Sequence, residues 1–343
     1  MPPPSREIDL TSAWRALDGH SSGAGWKVIE IFSSGNCCVK AGRRGVTNEE
    51  GLLIGVRGSI LATKAQLPRG QGFSLVTTEL LGSAPDLNWF ALMRHEHGAP
   101  ELFTKVAVDL VALLECVSTE EGSRVYGAMV SRMVAWQSFM RRERDGALST
   151  EEEIGLIGEL IVLSNLIQDG VPPLAAVESW VGPSAGLHDF EIGSGAIEAK
   201  TTLSSSRHLA RISNLDQMDD TTHRPLYLAT IRLVQLESGS TLPEMLHNMR
   251  GILIDSGAYS LFSTKLVSVG YSGSFAAEYT RRFSCLELAY RLVTSETPRL
   301  TRASVPSAVI EASYTLDLDA YAVSGSSYAS ISNELGVNLN GID

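Results

Sequence analysis

Two carboxylates and a lysine lie close together near the middle of the chain. Asp189 is followed nine residues later by Glu198, and Lys200 comes two residues after that. Carboxylate oxygens are the ligands that Mg²⁺ prefers, and bound Mg²⁺ activates water and stabilises negative charge at a reacting phosphate. A neighbouring lysine orients or deprotonates that water, or neutralises the developing charge. The spacing is therefore typical of metal-dependent phosphodiester hydrolysis, with Mn²⁺ expected to replace Mg²⁺.

These residues fall in two short strands that form a predicted hairpin with a turn at 193–195. Side chains alternate across a strand. If the loop contains an even number of residues, the hairpin places Asp189, Glu191, Glu198 and Lys200 on one face and the apolar residues on the other. A three-residue loop would mix the two sets, so we predict an even loop or a compensating bulge. An amphipathic hairpin with a solvated charged face is the alternative.

A fourth candidate, Glu159, lies in a predicted helix before the hairpin. Ser149 and Thr150 each begin an S/T-x-x-E capping box, and Asp169-Gly170 followed by Pro172 ends the helix. The neighbours of Glu159 at helical spacing are apolar residues and a glycine, so its carboxylate is expected to be partly buried. A buried carboxylate needs a cation partner, which a metal site or a lysine would supply. A structural salt bridge to an arginine is the alternative.

The predicted elements follow the order α-β-β-β-α-β. After the helix and the hairpin come a strand over 207–212, a short helix over 214–221 and a strong strand over 225–236. This order resembles the core of the PD-(D/E)XK, or restriction-endonuclease-like, superfamily, in which a helix glutamate, a strand aspartate and an E-x-K triplet form the site. The resemblance implies an α/β (α+β) fold with a mixed-sheet core.

A closer resemblance is carried by the run W-x-GP…HDFEI…IEAKTT, by the GELIVL helix before it and by a PRLTR segment near the end. Over most of residues 10–318 the chain is similar to an uncharacterised bacterial family of PD-(D/E)XK-like proteins. That resemblance implies a Mg²⁺-dependent DNA endonuclease that works as the nuclease subunit of a restriction or phage-defence system. One departure is His188, which stands where the superfamily pattern has proline.

Three further residues are candidate accessory groups. Several superfamily branches place a glutamine near the metal site, and Gln217 matches it, although the tyrosine that they carry four residues later is Thr221 here. Arg207 and Arg211 are candidate phosphate contacts, with ordinary surface arginines as the alternative. RNA stays open as a substrate beside DNA, because such a site reads phosphate and not sugar.

The net charge of −11 is unusual for a protein that binds nucleic acid. By region the charge is +1 over residues 1–100, −9 over 101–200, +2 over 201–310 and −5 over 311–343. No long basic stretch is present to neutralise many phosphates, so affinity should be modest and salt-sensitive. We therefore expect a partner to supply DNA contacts, and the family resemblance implies that this partner is an ATPase or helicase-like or recognition subunit. A catalytically inactive adaptor, whose charged cluster is a structural ion-pair network, is the alternative function.

The sequence predicts an N-terminal module over residues 1–146, a nuclease-like core over 147–318 and a flexible tail over 319–343. The charged run RRERDG at 141–146 marks the boundary between the first two. There is no apolar run long enough to span a membrane, no secretion leader and no metal-binding spacing among the four cysteines. The chain is therefore expected to be cytoplasmic.

Within the module, a short helix at DLTSAWRAL precedes a small antiparallel sheet, and two long helices follow it at about 101–117 and 123–143. Trp89 and Phe90 are expected in the core. The predicted strands of the sheet are WKVIEIF, NCCVKAG, LLIGV, SILATKA and GFSLVTT.

The end of the core is predicted to add two helices and two strands. The helices cover 241–251 and about 257–266, the first with Pro243 in its first turn. The strands, over 281–294 and 309–316, are expected to complete or extend the sheet.

Overall fold

The computed structural model describes residues 4–19, 25–45, 47–58, 67, 69–70, 72–95, 99–141, 147–184, 186–320 and 335. The chain divides into two compact units. The first comprises Met1–Gly146 and Ser263–Phe275, and the second comprises Ala147–Phe262 and Ala276–Asp343. In the part of the chain just defined, no helix is long and apolar enough to cross a bilayer.

The first unit is built on an antiparallel sheet of six strands in the order β1-β2-β3-β6-β5-β4. The predicted antiparallel sheet is thus confirmed, except for SILATKA at 59–65, which lies outside the described residues. The strands are β1 (Trp26–Ser34), β2 (Cys37–Arg44), β3 (Glu50–Arg57), β4 (Arg69–Gly70), β5 (Phe73–Thr78) and β6 (Leu87–Arg94).

Helices of the first unit pack with this sheet around one apolar core. Trp89 and Phe90 on β6 are buried, as predicted. The helices are α1 (Pro4–Ala16), α2 (Pro100–Val117) and α3 (Gly122–Arg141), and they confirm the three helices expected here. Arg141 ends α3, and residues 142–146 of the predicted boundary lie outside the described residues.

The second unit carries a mixed sheet of four strands in the order β11-β10-β8-β7. Strands β7 and β8 are antiparallel, β8 and β10 are parallel, and β10 and β11 are antiparallel. The strands of this unit are β7 (Phe190–Ile192), β8 (Gly195–Thr202), β9 (Leu209–Ile212), β10 (Leu226–Ser240), β11 (Phe283–Leu292) and β12 (Tyr314–Asp317). This mixed α+β architecture is consistent with a restriction-endonuclease-like fold, which confirms the predicted fold class.

Helices flank the sheet in the second unit. The capping box of Thr241 with Glu244 and Pro243 in the first turn begin α6, as the sequence predicts. The helices are α4 (Thr150–Gln168), α5 (Pro173–Ser179), α6 (Leu242–Leu253) and α7 (Tyr259–Val269), with 3₁₀ turns at Gly182–Ser184 and Gly273–Glu278. Residues of α7 from Ser263 onward belong to the first unit.

The strand predicted over 207–212 is present as β9, but it joins another sheet, and the predicted helix over 214–221 was wrong. Strand β9 is absent from the mixed sheet and pairs instead with β12, because β8 is already flanked by β7 and β10. Residues 214–221 form turns rather than the predicted helix. The Asp219 side chain accepts the backbone N–H of Thr221, which the predicted helix would have bonded to the carbonyl oxygen of Gln217, and such local bonds compete with helix formation.

Most of the predicted tail, residues 321–334 and 336–343, lies outside the described residues. Leu335 is described and is fully buried. A Cβ built on Gly195 would lie 2.4 Å from Cδ2 of Leu335, so this residue of the tail packs against the start of β8.

Candidate active site

Helix α4 carries Glu159 and approaches β8 closely. Ser149 begins the helix with a capping box that includes Glu152, as one of the two predicted boxes requires, and Gly170 follows its end with a φ of +96°. A Cβ on Gly158 would lie 1.8 Å from Oγ1 of Thr201, which shows that the helix backbone packs directly on the strand. Glu159 is therefore held beside the strand that bears Glu198 and Lys200.

The hairpin has the predicted parity. Ile192 pairs with Gly195, which leaves a two-residue loop of Gly193 and Ser194, and Phe190 pairs with Ile197. Gly193 adopts a φ of +59°, a conformation that suits glycine in tight hairpin turns. The even loop is thus confirmed, and strand alternation assigns Asp189, Glu198 and Lys200 to the same face.

Asp189 is fixed by hydrogen bonds to β8. Its Oδ2 accepts the backbone N–H of Ala199 at 2.7 Å. The pairing of Phe190 with Ile197 also places Asp189 across from Glu198 on β8. The carbonyl oxygen of Asp189 also accepts the N–H groups of Val181 and Gly182. The two carboxylates are consequently neighbours across the hairpin.

Glu159 completes the group of carboxylates. Its Oε2 accepts the indole N–H of Trp180 at 2.6 Å. A Cβ on Gly182 would lie 3.0 Å from Oδ1 of Asp189 and 3.4 Å from Oε2 of Glu159. Both carboxylates therefore border the same small space at Gly182, where a side chain would intrude.

Lys200 supplies the positive charge. Its Nζ lies 2.8 Å from Oε1 of Glu198 and 3.3 Å from Oε1 of Gln217. Oε1 of Gln217 also accepts the backbone N–H of Ser213 at 2.8 Å. Gln217 thus reaches the lysine, as its predicted position near the site requires, but it does so from a turn and not from a helix.

The electrostatics of this cluster favour an added cation. Burial, and then the nearby Asp189, raise the pKa of Glu198 to about 8 against the opposing effect of Lys200. Burial, followed by Asp189, also raises the pKa of Glu159 well above its usual value. Burial raises the pKa of Asp189, while the Ala199 N–H and Lys200 lower it. Three carboxylates thus share one ammonium.

The two candidate arginines lie on or beside β9, in the two-stranded sheet. Nη1 of Arg207 is 3.7 Å from Oδ2 of Asp317, and 69% of the Arg207 side chain is exposed. Arg211 is exposed on β9 opposite Thr315. Among the described residues, neither arginine makes a hydrogen bond or ion pair with the carboxylates or with Lys200. The structure does not join them to the cluster.

Two residues next to the site were not assigned from the sequence. Trp180 holds Glu159, and the W-x-GP run that precedes Asp189 was the available signal. His188 is 2% exposed, and in the described part of the chain neither of its ring nitrogens has a hydrogen-bond partner. Burial, and then the nearby His223, lower the pKa of His188 to about 4. The ring centroids of the two histidines are 5.6 Å apart. The His188 imidazole is therefore neutral at pH 7.

The donor atoms fit a hard divalent cation, because Glu159, Asp189 and Glu198 all offer carboxylate oxygens. No group of three His, Cys, Asp or Glu side chains within the described ranges already has the geometry of a metal site. In the conformation seen, one carboxylate oxygen of Glu159 accepts a hydrogen bond from Trp180, and one of Glu198 accepts from Lys200. A cation would therefore have to rearrange these side chains to acquire its ligands.

A family model described as "Putative PD-(D/E)XK family member, (DUF4420)" matches residues 10–319. The match includes α4, the hairpin and the mixed sheet. The chain matches no curated protein and no solved structure.

Proposed function

Because the chain belongs to this PD-(D/E)XK family, we propose that it is a Mg²⁺-dependent nuclease that hydrolyses phosphodiester bonds in DNA. One observation carries the proposal: a helix and two adjoining strands bring three carboxylates and one ammonium together. Besides burial, Asp189 raises the pKa of both Glu159 and Glu198, so the cluster gains from a divalent cation. This charge imbalance distinguishes the cluster from an ordinary surface ion pair.

In this proposal, Asp189 and Glu198 are the direct ligands, and Glu159 is an outer ligand or a partner of the lysine. Bound Mg²⁺ would activate a water molecule and stabilise charge on the reacting phosphate, and Mn²⁺ would substitute for it. The backbone N–H of Ala199 orients the Asp189 carboxylate. The indole of Trp180 does the same for Glu159, so the ligands are held by groups that are not themselves ligands.

Lys200 would orient the attacking water or neutralise charge on the phosphate. Its ammonium has three N–H donors, and Glu198 and Gln217 accept from it in the conformation seen. If Glu198 holds a cation with the oxygen that now accepts from Lys200, that N–H donor of the ammonium would be left for the water or the phosphate.

The test is cleavage of plasmid DNA by the purified full chain with Mg²⁺ or Mn²⁺. Activity should vanish in Asp189→Ala and Lys200→Ala and persist in Asp255→Ala, which removes an exposed carboxylate between α6 and α7 of the same unit. Parallel reactions with single-stranded DNA and RNA identify the nucleic acid. Equal cleavage by wild type, Asp189→Ala and Lys200→Ala would reject the assignment.

The Lys200–Glu198 ion pair favours a second candidate, an inactive adaptor in which the cluster is structural. Such a closed pair satisfies Glu198 without a cation. Titration with Mn²⁺ separates the two candidates. An adaptor should show no tight binding, whereas the nuclease should bind Mn²⁺ through Asp189 and lose that binding in Asp189→Ala.

We further propose that the protein is a cytoplasmic subunit of a restriction or phage-defence complex. The net charge of −11 supports this, because a chain of that charge is poorly suited to hold DNA alone. An ATPase or helicase-like or recognition subunit would supply the phosphate contacts. Purification from the native host, followed by identification of bound proteins and a nuclease assay with and without ATP, tests the partner.

A further inference from the structure

The segment 298–302 holds the 213–224 loop at two points. Nη1 of Arg299 donates to the carbonyl oxygen of Met218 at 2.6 Å, and Nη2 lies 2.9 Å from Oδ1 of Asp220. Arg302 binds both carboxylate oxygens of Asp216, at 2.8 and 2.9 Å. Two arginines from a distant part of the sequence thus bind this loop at residues before and after Gln217.

The loop depends on such contacts for its position. Its residues form no helix, and the side chain of Asp219 accepts the backbone N–H of Thr221, which a helix would use. A chain segment without regular backbone bonding has more conformations to lose when it is ordered. The pair of Arg299 with Asp220 is well buried, at 13% and 15% side-chain exposure, so it is the stronger anchor.

The loop ends at the lysine of the candidate active site through Gln217. Because the Ser213 N–H donates to Oε1 of Gln217, the amide oxygen is directed to Lys200. In the metal-free conformation, Glu198 and Gln217 accept two of the three ammonium donors, and the direction of the third follows from them. If Glu198 instead serves a cation, Gln217 is the one of these two acceptors that stays with the ammonium.

We propose that Arg299 and Arg302 are positioning residues that fix the 213–224 loop, hold Gln217 against Lys200 and so set the orientation of its ammonium. The inference rests on the proposed function where it concerns cleavage. The structural part of the inference, the coupling of Arg299 to Lys200 through Gln217, does not depend on nuclease activity. The segment 298–302 thereby acts on the site without touching the reacting groups.

Two measurements on Arg299→Ala, Gln217→Ala and the double variant test this coupling. The first is the single-turnover rate of DNA cleavage with saturating Mn²⁺. The second is the ¹³Cε–¹Hε NMR signal of Lys200 in metal-free protein labelled with ¹³C-lysine, assigned by its loss in Lys200→Arg. Each single variant should lower the rate roughly tenfold to a hundredfold and shift the signal, since small misplacements of a catalytic group have effects of this size.

The double variant decides the route of the effect. If Arg299 acts through Gln217, the double variant is no slower than the slower single variant, because effects on one shared contact do not add. The dissociation constant for Mn²⁺ should stay within about twofold of wild type in all three, as the carboxylates are intact. Multiplied rate losses, or a Lys200 signal unchanged in Arg299→Ala, would overturn the proposal.

Arg282→Ala is the matched control. Arg282 also binds a carbonyl oxygen, that of Gly239, and a carboxylate, that of Glu244, in the same unit. It should leave the rate and the Lys200 signal unchanged. If Arg299→Ala does not fold, Arg302→Ala replaces it, and the exchange Arg302→Asp with Asp216→Arg should restore the Lys200 signal that either single change shifts.

The two arms also separate this inference from the proposed function. If wild-type protein cleaves no nucleic acid with Mn²⁺, the proposed function fails and the NMR arm still decides the positioning. If wild type cleaves and Arg299→Ala cleaves at the same rate with an unshifted signal, the positioning role alone fails.

Discussion

Asp189 and Ala199 are joined by a hydrogen bond of 2.7 Å from the backbone N–H of β8 to the aspartate carboxylate. Asp189 lies one residue before β7 begins, so this side-chain bond joins it to β8 just beyond the backbone pairing of the two strands. It also holds the carboxylate near Glu198, whose pKa is raised by burial and then by the Asp189 charge. One residue thus combines a structural bond with a charge at the site.

Substitution of Asp189 separates these two contributions. Asp189→Asn keeps an oxygen that accepts the Ala199 N–H but removes the charge, so the melting temperature should stay near that of wild type. Cleavage with Mn²⁺ should fall by at least about 100-fold, the size of effect seen when one transition-state contact is removed. Asp189→Ala should lose both, with about 1–3 kcal/mol of stability from an unsatisfied N–H. Calorimetry and single-turnover cleavage measure the two, and an active Asn variant would contradict the role.

Binding of Mn²⁺ should release a proton. Because the pKa of Glu198 is raised to about 8, most of this residue is protonated at pH 7 in metal-free protein. A cation that uses Glu198 must displace that proton, so affinity should improve by up to tenfold per pH unit below pH 8 and level off above it. Calorimetric titration in two buffers of different ionisation enthalpy measures the proton. A pH-independent affinity would show that Glu198 is not a ligand.

The same pKa shift predicts a stability difference with a defined sign. The folded-state pKa lies above the usual value of 4.5, so the native state holds a proton that the unfolded chain releases. Metal-free protein therefore loses stability from this group as pH rises from 4.5 towards 8. The loss should be absent in Glu198→Gln, measured as the difference between the two unfolding free energies at each pH.

The sequence predicted the relative placement of the candidate residues wherever the interactions that set it are local in sequence. Strand alternation predicted that Asp189, Glu198 and Lys200 lie on one face of the hairpin. The two-residue loop keeps this alternation matched across the turn. The capping box at Ser149 marked the start of α4 in the same way. Both depend on residues fewer than a dozen positions apart.

The parts that failed depend on distant residues or on side-chain competition. β9 pairs with β12 through contacts such as Tyr314 with Ile212, about a hundred residues apart, which no local pattern contains. The predicted helix over 214–221 was wrong because the Asp219 side chain takes the backbone N–H of Thr221, which the helix needed. The hydrogen bond from Trp180 to Glu159 links separate elements, so local patterns could not predict it either.

Two glutamates of α4 should respond to substitution in opposite directions. Burial, and then Asp189 and Glu198, disfavour the charged form of Glu159 and raise its pKa, and Glu159→Gln removes the charge while keeping an oxygen for Trp180. Metal-free protein should gain about 1–2 kcal/mol, and Mn²⁺ binding should weaken, as is common when a functional site is relieved of strain. Glu153 is buried and paired with Arg281, so Glu153→Gln should cost about 1–3 kcal/mol. Denaturant unfolding of metal-free protein measures both; a loss of stability in Glu159→Gln would contradict the charge argument.

The contact of α4 with β8 predicts a second pair of opposite effects. Gly158→Ala would bring a methyl group to 1.8 Å from Oγ1 of Thr201, so the helix must move away from the strand. We expect a loss of about 1–3 kcal/mol from overpacking and a weakened Mn²⁺ site, because Glu159 moves with the helix. Thr201→Ala should restore part of both in the double variant, since it removes the nearest atom.

Gly155→Ala is the control for this change. It lies three residues earlier on the same helix, and a Cβ there meets nothing within 4 Å. Alanine has the higher helix propensity, so this variant should gain about 1 kcal/mol and leave Mn²⁺ binding unchanged. Unfolding free energies and Mn²⁺ dissociation constants of the three variants provide the measurement. If Gly158→Ala behaves as Gly155→Ala does, α4 is not held against β8 at Thr201, and the placement of Glu159 beside the other carboxylates is wrong.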